Sequence, residues 1–450
     1  MVVFVVLFLL LFAGVPRGGA FVLDVAPDGS GSYPDLEHAL AAAGPGDSIR
    51  LADGVFAGAG NRNLILGGEI TLFSASGDAE RCAIDVEGNG RAFLIYTFPG
   101  SRICIEGITM RGGDPGDLPE DLLPGYGGAL AVKRLAPGGL FSVERCVLEG
   151  NEAEAGGGAF LWGGEGVFRG CTFRNNLATD GGGAYCFLCD AGSGARFEEC
   201  VFYGNDYPLE AVGGYGAGVF FSRSVGRVES CTFAQNRAWY GAGILASDEA
   251  DIEVEASLLA FGARGNGLAV FGADVAITRC DIFGNAGGDW VGPIAGLLGV
   301  DCNFSEDPLF CAMGENDFSL RSDSPCLPEN NDGCGRVGAL PLGCEAPVGI
   351  SAGEAAFQGG PRFWRCGPDP FLRETELAFL APAPAEVRLT IHDVCGRLVA
   401  VLLDERVRAG EHSVSWDGVE DSGESAPSGV YFARLTIGGD VVARTIKRIR

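Results

Sequence analysis

Between Gly127 and Asn285 the apolar and polar positions recur as one phrase. In Val143-Glu-Arg-Cys146-Val-Leu148-Glu-Gly-Asn151 apolar residues fall three before the cysteine, at it and two after it, and an asparagine closes the phrase. Further copies read Phe168…Cys171…Phe173…Asn176, Phe197…Cys200…Phe202…Asn205, Val228…Cys231…Phe233…Asn236 and Ile277…Cys280…Ile282…Asn285, with a weaker Val254…Ser257…Leu259…Gly262 before the last. The cysteine or serine positions lie 25, 29, 31, 26 and 23 residues apart, a period that signals a solenoid. The runs are short and β-like, with no helical period. Two polar residues separate the first apolar pair, which predicts a bend there; the second pair alternates as a strand does.

Stacking the copies at the strand spacing of about 4.8 Å lines up like residues. It predicts a ladder of Leu148, Phe173, Phe202, Phe233, Leu259 and Ile282, a ladder of thiols, and a ladder of asparagines whose amides bond from rung to rung. Asparagine is assigned to the corner because it tolerates the left-handed conformation. Gly127-Gly-Ala129-Leu130, Gly157-Gly-Ala159-Phe160, Gly182-Gly-Ala184-Tyr185, Gly216-Ala-Gly218-Val219 and Gly241-Ala-Gly243-Ile244 precede most copies, where the interior narrows. One rung cannot bury its own inner face, so the core comes from stacking.

Outside the repeats the chain divides as follows. Residues 1–20 read as a secretory signal, with Val2 to Ala13 nearly all apolar and Gly18-Gly-Ala20 offering small residues for cleavage. No membrane-spanning helix is expected in the mature chain. Residues 21–46 hold a strand and a capping helix, Tyr33 to Gly44, with Leu36, Ala39, Leu40 and Ala43 on its apolar face. The solenoid is placed at 47–346, its end from Cys302 to Cys344 forming a disulfide-rich cap over the last rung; 347–360 is a linker and 361–450 a separate β domain.

The pairing of Gly-Gly-Ala-apolar with Phe-x-x-Asn resembles the repeats of polymorphic outer-membrane proteins and, more broadly, the right-handed parallel β-helices of the pectin-lyase-like superfamily. Pro368-Asp-Pro-Phe371, Asp393-Val-Cys-Gly-Arg397, Trp416-Asp-Gly418 and Pro427-Ser-Gly-Val-Tyr431 resemble the immunoglobulin-like domain of flagellar hook-capping type and the sorting domains read by type IX secretion systems. The resemblances imply an all-β fold, a right-handed parallel β-helix solenoid followed by a small β-sandwich. They also imply an extracellular or cell-surface location on a bacterium, with secretion machinery as a partner if the tail is an address. Proteins of this shape bind, scaffold or, in some cases, cleave polysaccharides.

Charge narrows the partners. The formal net charge is −27 and the only lysines are Lys133 and Lys447, which argues against nucleic acid and anionic membranes and permits divalent cations. Of 16 cysteines, Cys146, Cys171, Cys200, Cys231 and Cys280 are expected as buried free thiols, because in-register side chains suit a disulfide torsion poorly. Cys302 to Cys344 are the better disulfide candidates, and Cys186-Phe-Leu-Cys189 reads as a loop disulfide, or one half of two.

Catalytic chemistry is thin. The three histidines lie outside the repeats, so no nucleophile–histidine arrangement is available there. Polygalacturonase-like enzymes carry Asn-Thr-Asp, Asp-Asp and Gly-His-Gly, none of which occurs. Glu198, Glu229 and Glu255 form a column on successive rungs whose mutual repulsion Ca2+ could relieve; no other cofactor is expected. Insertions gather between the asparagine corner and the next Gly-rich motif, as at Asp114–Tyr126, Asp206–Tyr215 and Ala286–Pro293. One edge thus gains Asp206, Glu210, Tyr215, Trp239, Tyr240, Asp289 and Trp290, suited to stacking and hydrogen bonding with a glycan or surface polymer. The expectation is a non-catalytic binder of an extended ligand; the alternatives are a lyase or glycosidase acting on acidic polysaccharide, and a structural surface or adhesin component.

Overall fold

The structure, a computed structural model, describes residues 20–189, 192, 194–208, 213–346, 362–367, 374–381, 384–393, 396–408, 410–421, 425–437 and 440–448. Residues 1–19 of the signal expected at 1–20, and the linker expected at 347–360, therefore lie outside the described residues. The chain divides into two compact units, Met1–Cys344 and Glu345–Arg450. No described helix is long and apolar enough to cross a membrane.

The first unit is a right-handed solenoid of three parallel sheets. Sheet 1 has ten strands, from Val22–Val25 to Asp274–Thr278; sheet 2 has nine, from Gly54–Phe56 to Asp281–Phe283; sheet 3 has eight, from Leu64–Leu66 to Leu268–Phe271. Each rung passes from sheet 1 to sheet 2 to sheet 3. The register keeps equivalent residues together: Val143, Phe168, Phe197, Val228, Val254 and Ile277 pair in sequence along sheet 1, and Leu148, Phe173, Phe202, Phe233, Leu259 and Ile282 along sheet 2.

The bend between sheets 1 and 2 is a single left-handed residue, Arg145, Glu199, Ser230, Ala256 or Arg279, with φ of 47 to 54°. It turns the following residue inward, a cysteine in every case but Ser257. All five ladder thiols are buried and unpaired, as expected. Each S–H donates back to the preceding rung: Cys171 to the Val143 carbonyl at 3.2 Å, Cys200 to Phe168 at 3.3 Å and Cys231 to Phe197 at 3.3 Å. Burial pushes the Cys280 thiol up to about 12 and holds those of Cys146, Cys171 and Cys200 well above the ordinary thiol range, so these four stay protonated and unreactive.

At the second corner the structure corrects the conformation. The left-handed residue is the one before the ladder asparagine: Gly150, Asn175, Gly204 and Gln235 have positive φ, whereas Asn151, Asn176, Asn205 and Asn236 do not and are at most 1% exposed. Their amides form a continuous chain, Asn151 donating to Asn176 at 2.9 Å, Asn176 to Asn205 at 3.0 Å and Asn205 to Asn236 at 3.0 Å. Glycine is required just beyond. A Cβ on Gly158, Gly183 or Gly218 would sit 2.3 to 2.5 Å from the carbonyl oxygen of the next rung's glycine.

A short helix, α1 (Leu36–Ala42), closes the N-terminal end; Asp35 caps it by accepting from the His38 N–H, and Leu36 and Ala39 enter the core. The far end is closed by a 3-10 turn, Gly292–Leu297, which brings Ile294 onto the same core. This placement differs from the cap expected at Cys302–Cys344. That segment is crosslinked, by Cys302–Cys334 and Cys311–Cys344, but it runs back along the outside of sheet 2. Gly338 donates to the Ala256 carbonyl at 2.8 Å and Ala339 to the Thr232 hydroxyl at 2.9 Å, while Phe318 and Ala339 cluster with Val201 and Ala234. On its later rungs the outer face of sheet 2 carries small and apolar residues, Val201, Ala234, Leu258 and Ala260, and the segment covers them.

Beneath this strap Asp281 is fully buried, accepting from the Glu306 N–H at 3.1 Å and the Cys326 thiol at 3.4 Å. Burial holds its pKa well above the ordinary carboxylate range. Its folded pKa is thus raised over the unfolded value of about 3.9. The native state retains a proton that the unfolded chain releases, so stability is lost as pH rises from about 4 through the folded pKa. Asp281→Asn keeps the neutral shape and removes that loss. The variant is expected to raise the melting temperature at pH 7 and to leave it unchanged near pH 4, by calorimetry at both pH values; an equal or lower value at pH 7 would overturn this.

Cys186 and Cys189 form no disulfide; both are buried free thiols. Cys186 is an inward position of the sheet 3 strand Ala184–Phe187, and left-handed Leu188 turns Cys189 inward as well, so the motif belongs to the core rather than to a loop.

The second unit is the expected small β-sandwich. Strands Arg362–Gly367, Thr375–Ala381 and Gly410–Trp416 form one antiparallel sheet; Leu398–Val407, Ala385–Asp393, Gly429–Ile437 and Asp440–Arg448 form the other. Leu377, Phe379, Leu389, Ile391 and Leu435 fill the space between them. Trp416 meets Tyr431 edge-on at 5.1 Å, and the Tyr431 hydroxyl donates to the Pro427 carbonyl at 2.7 Å, tying down the turn before its own strand.

Candidate functional site

Sheet 3 follows the Gly-rich motif, and its strands alternate strictly. First and third residues face the core. The second residues form an outward column running Leu94, Ala131, Phe160, Tyr185, Phe220, Leu245, Ala269; the fourth residues form Tyr96, Lys133, Trp162, Phe187, Ser222, Ser247, Phe271. Aromatic rings therefore dominate the middle of this face.

The insertion Asp114–Tyr126 covers the early rungs. Leu122 and Leu123 pack on Leu94, Tyr96 and Ala131, and buried Arg91 anchors the loop by donating to the Leu122 and Leu123 carbonyls at 2.7 and 2.5 Å. Beyond it the corner between sheets 2 and 3 carries a third column. Tyr126, Ala155, Asp180, Tyr215 and Tyr240 follow one another in parallel register. Tyr215 and Tyr240 stack at 6.1 Å with 16° between planes, and Tyr240 meets Phe271 edge-on at 5.2 Å. Tyr126, Trp162, Tyr215, Trp239, Tyr240 and Phe271 are 37 to 48% exposed, so each leaves ring surface open to solvent.

Ala155 is the one small residue in the corner column. Over it lies a cleft of about 430 Å3, with Tyr126 on one side, Asp180 and Thr179 on the other, and Phe160, Tyr185 and Phe187 behind. Glu154 stands at its rim. Burial raises the pKa of Asp180 and pushes the Tyr185 phenol up to about 12.

The predicted edge is only partly assembled. Tyr215, Trp239 and Tyr240 do come together on it. Trp239 offers one face only, since the Arg264 guanidinium lies 3.5 Å from its ring centre and also donates to the Tyr207 hydroxyl at 2.9 Å. Asp206 is held by Arg237 at 2.8 Å. Glu210 lies outside the described residues. Asp289 and Trp290 are elsewhere in role: Asp289 accepts from the Gly284 and Asn285 N–H groups at 3.0 and 2.8 Å, and Trp290, 9% exposed, packs on the end of the core with its indole N–H on the Phe304 carbonyl at 2.9 Å. Trp290 is thus a packing residue and is not part of the exposed edge. Tyr126, Trp162, Asp180, Phe187 and Phe271 join it; counting two and four residues into the strand after each Gly-rich motif would have found the rings on sheet 3.

The glutamate column is real, with Glu198, Glu229 and Glu255 in register, but arginines interleave it. Arg169 binds Glu198 at 2.7 Å, Arg227 binds Glu229 at 3.0 Å and Glu255 at 2.5 Å, and Arg279 also binds Glu255. The repulsion that was to favour Ca2+ is already relieved. Among the described residues no three His, Cys, Asp or Glu side chains gather to hold a metal ion.

Residues 138–258 match the family described as the right handed beta helix region, and residues 372–438 match the FlgD Ig-like domain. The solenoid is a right-handed parallel β-helix. No curated protein matches the chain. Among solved structures it is similar to pectate lyase Pel9A, at 15% identity over 60% of this chain and 64% of that one, with a TM-score of 0.35. It is also similar to PorZ, described as an essential bacterial surface component of the type-IX secretion system of Porphyromonas gingivalis, at 20% identity over 22% of this chain and 13% of that one, with a TM-score of 0.16. The chain spans less than two thirds of either protein, and likeness at this level concerns the fold alone.

Proposed function

We propose that the protein is a non-catalytic binding protein of the bacterial exterior whose β-helix holds an extended glycan or surface polymer along the corner beside sheet 3. The observation that supports this most is the run Tyr215, Tyr240 and Phe271, three exposed rings on consecutive rungs, each in contact with the next. A run of exposed rings on successive rungs suits a chain of repeating units, whose apolar faces pack on the rings while their hydroxyls reach polar groups nearby. The acidic surface favours neutral polymers over uronates. On this reading the FlgD-type domain serves export or attachment.

A panel of soluble polysaccharides tests it, read by affinity electrophoresis and by reducing-end release. At least one polymer is expected to bind without being cut. The double change Tyr215→Ala and Tyr240→Ala is expected to weaken that binding about tenfold or more while the melting temperature holds, because both rings are exposed. A chain ending at residue 346 is expected to bind equally well but to be lost from the cell surface. Unchanged affinity in the double variant, or cleavage of the polymer, would overturn the reading.

A further inference from the structure

We propose that the cleft over Ala155 is a cage for an alkylated ammonium group, a second binding site distinct from the Tyr215–Tyr240–Phe271 track. The inference goes beyond the polymer reading and does not depend on it.

The shape comes first. The corner column places a bulky side chain at Tyr126, Asp180, Tyr215 and Tyr240 but only a methyl at Ala155, and the missing volume is the cleft. Its rings do not lie flat as a platform for a sugar would. Tyr126 and Phe160 are tilted by 41° with centres 4.7 Å apart, Phe160 and Tyr185 by 57° at 5.6 Å, and Tyr185 and Phe187 by 47° at 6.1 Å. Four aromatic side chains thus border one hollow, and aromatic rings attract an organic cation through their π faces.

Charge points the same way. Asp180 and Glu154 are the charged residues of the lining, and no cationic side chain is among them. Neither carboxylate has a side-chain hydrogen bond or ion pair among the described residues. Elsewhere on the solenoid Glu198, Glu229, Glu255 and Asp206 are all held by arginine. Asp180 is partly withdrawn from water without a compensating partner, and burial raises its pKa accordingly. A bound cation would supply that partner. An anionic ligand would meet two carboxylates, and a neutral one would leave them uncompensated. An alkylated ammonium, which needs few hydrogen bonds and offers apolar methyl groups to the rings, satisfies both the walls and the charge.

Choline and its uncharged carbon analogue 3,3-dimethylbutan-1-ol separate charge from shape. With the full chain, titration calorimetry is expected to show saturable choline binding with a Kd on the order of 1 mM and binding of the analogue about tenfold weaker or worse. Asp180→Asn, which keeps the shape, and Tyr126→Ala, which removes an exposed ring, are each expected to weaken choline about fivefold or more. Tyr126→Trp is expected to restore it, and Tyr240→Ala to leave it unchanged, so failure of the polymer track and failure of the cage are told apart. Co-sedimentation with phosphatidylcholine vesicles that choline competes away would assign the group to a lipid headgroup; choline binding without co-sedimentation would assign it to a free molecule. Equal binding of the analogue, unaltered binding by Asp180→Asn, or no saturable binding of choline up to about 100 mM would overturn the proposal.

Discussion

Replacing Asn205 by alanine is expected to destabilise the solenoid by about 3–6 kcal/mol, since each buried polar group left without a partner costs about 1–3 kcal/mol. Asn205 is fully buried and its amide is used on both sides. It donates to the Phe173 carbonyl at 2.9 Å and to Asn236 at 3.0 Å, and accepts from the Asn176 backbone N–H at 3.1 Å and side-chain amide at 3.0 Å. Alanine removes all four bonds. The Asn176 N–H and amide are then left facing a void in the rung below, too deep for bulk water. The midpoint of urea unfolding, compared with that of Asn205→Gln, checks the loss. Because solenoids need not unfold in one step, the comparison rests on the transition that reports the central rungs. A change below about 1 kcal/mol would show that the amides find other partners and that the ladder contributes little.

Much of this architecture was legible because the solenoid writes its contacts into the sequence as a period. Cys146 to Cys280 and Asn151 to Asn236 recur at one place per rung, so their stacking followed from counting alone. The period does not say which of two adjacent corner residues bends. It identified asparagine as the corner residue, whereas Asn175 and Gln235, one step earlier, take the left-handed conformation and leave the ladder residues free to turn inward. The same limit explains Cys186 and Cys189. Their spacing suggested a loop, but Leu188 turns the chain so that both face the core.

The structure departs from the period where the period stops and where arginines join from other columns. Trp290 sits at the same corner by sequence, yet no sheet 2 strand follows Asp281–Phe283. With no rung beyond to flank it, an apolar ring there falls onto the open end of the core. Glu229 and Glu255 stack in register, but Arg227, two positions before Glu229 on the same strand, reaches both, a contact that no single column reveals. The cleft was hidden for a further reason. Tyr126, Ala155, Asp180 and Tyr215 are neighbours only because loops of unequal length return to one register, and the notch exists because the smallest of these residues is one of the central ones.

The interior makes the second large prediction. Phe202→Ala is expected to cost about 3–5 kcal/mol. The ring is fully buried and stacks between Phe173, at 4.5 Å and 9°, and Phe233, at 4.6 Å and 7°, while Phe197 meets its edge at 5.6 Å. Removing it takes away apolar contact with three rings at once. The cavity cannot easily close, because its neighbours are fixed by the rungs above and below: Gly183 packs so tightly over the ring that a Cβ there would lie 2.9 Å from Phe202 Cδ1. Phe202→Leu keeps most of the volume and is expected to cost about 1.5 kcal/mol or less. Phe173→Ala combined with Phe202→Ala should cost less than the two single changes added, since each destroys the contact the other needs. Urea unfolding of the four proteins with the parent completes the cycle. Additive losses would mean that the two rings are buried separately rather than as a stack, and a loss under about 1 kcal/mol for Phe202→Ala alone would place that ring outside the core.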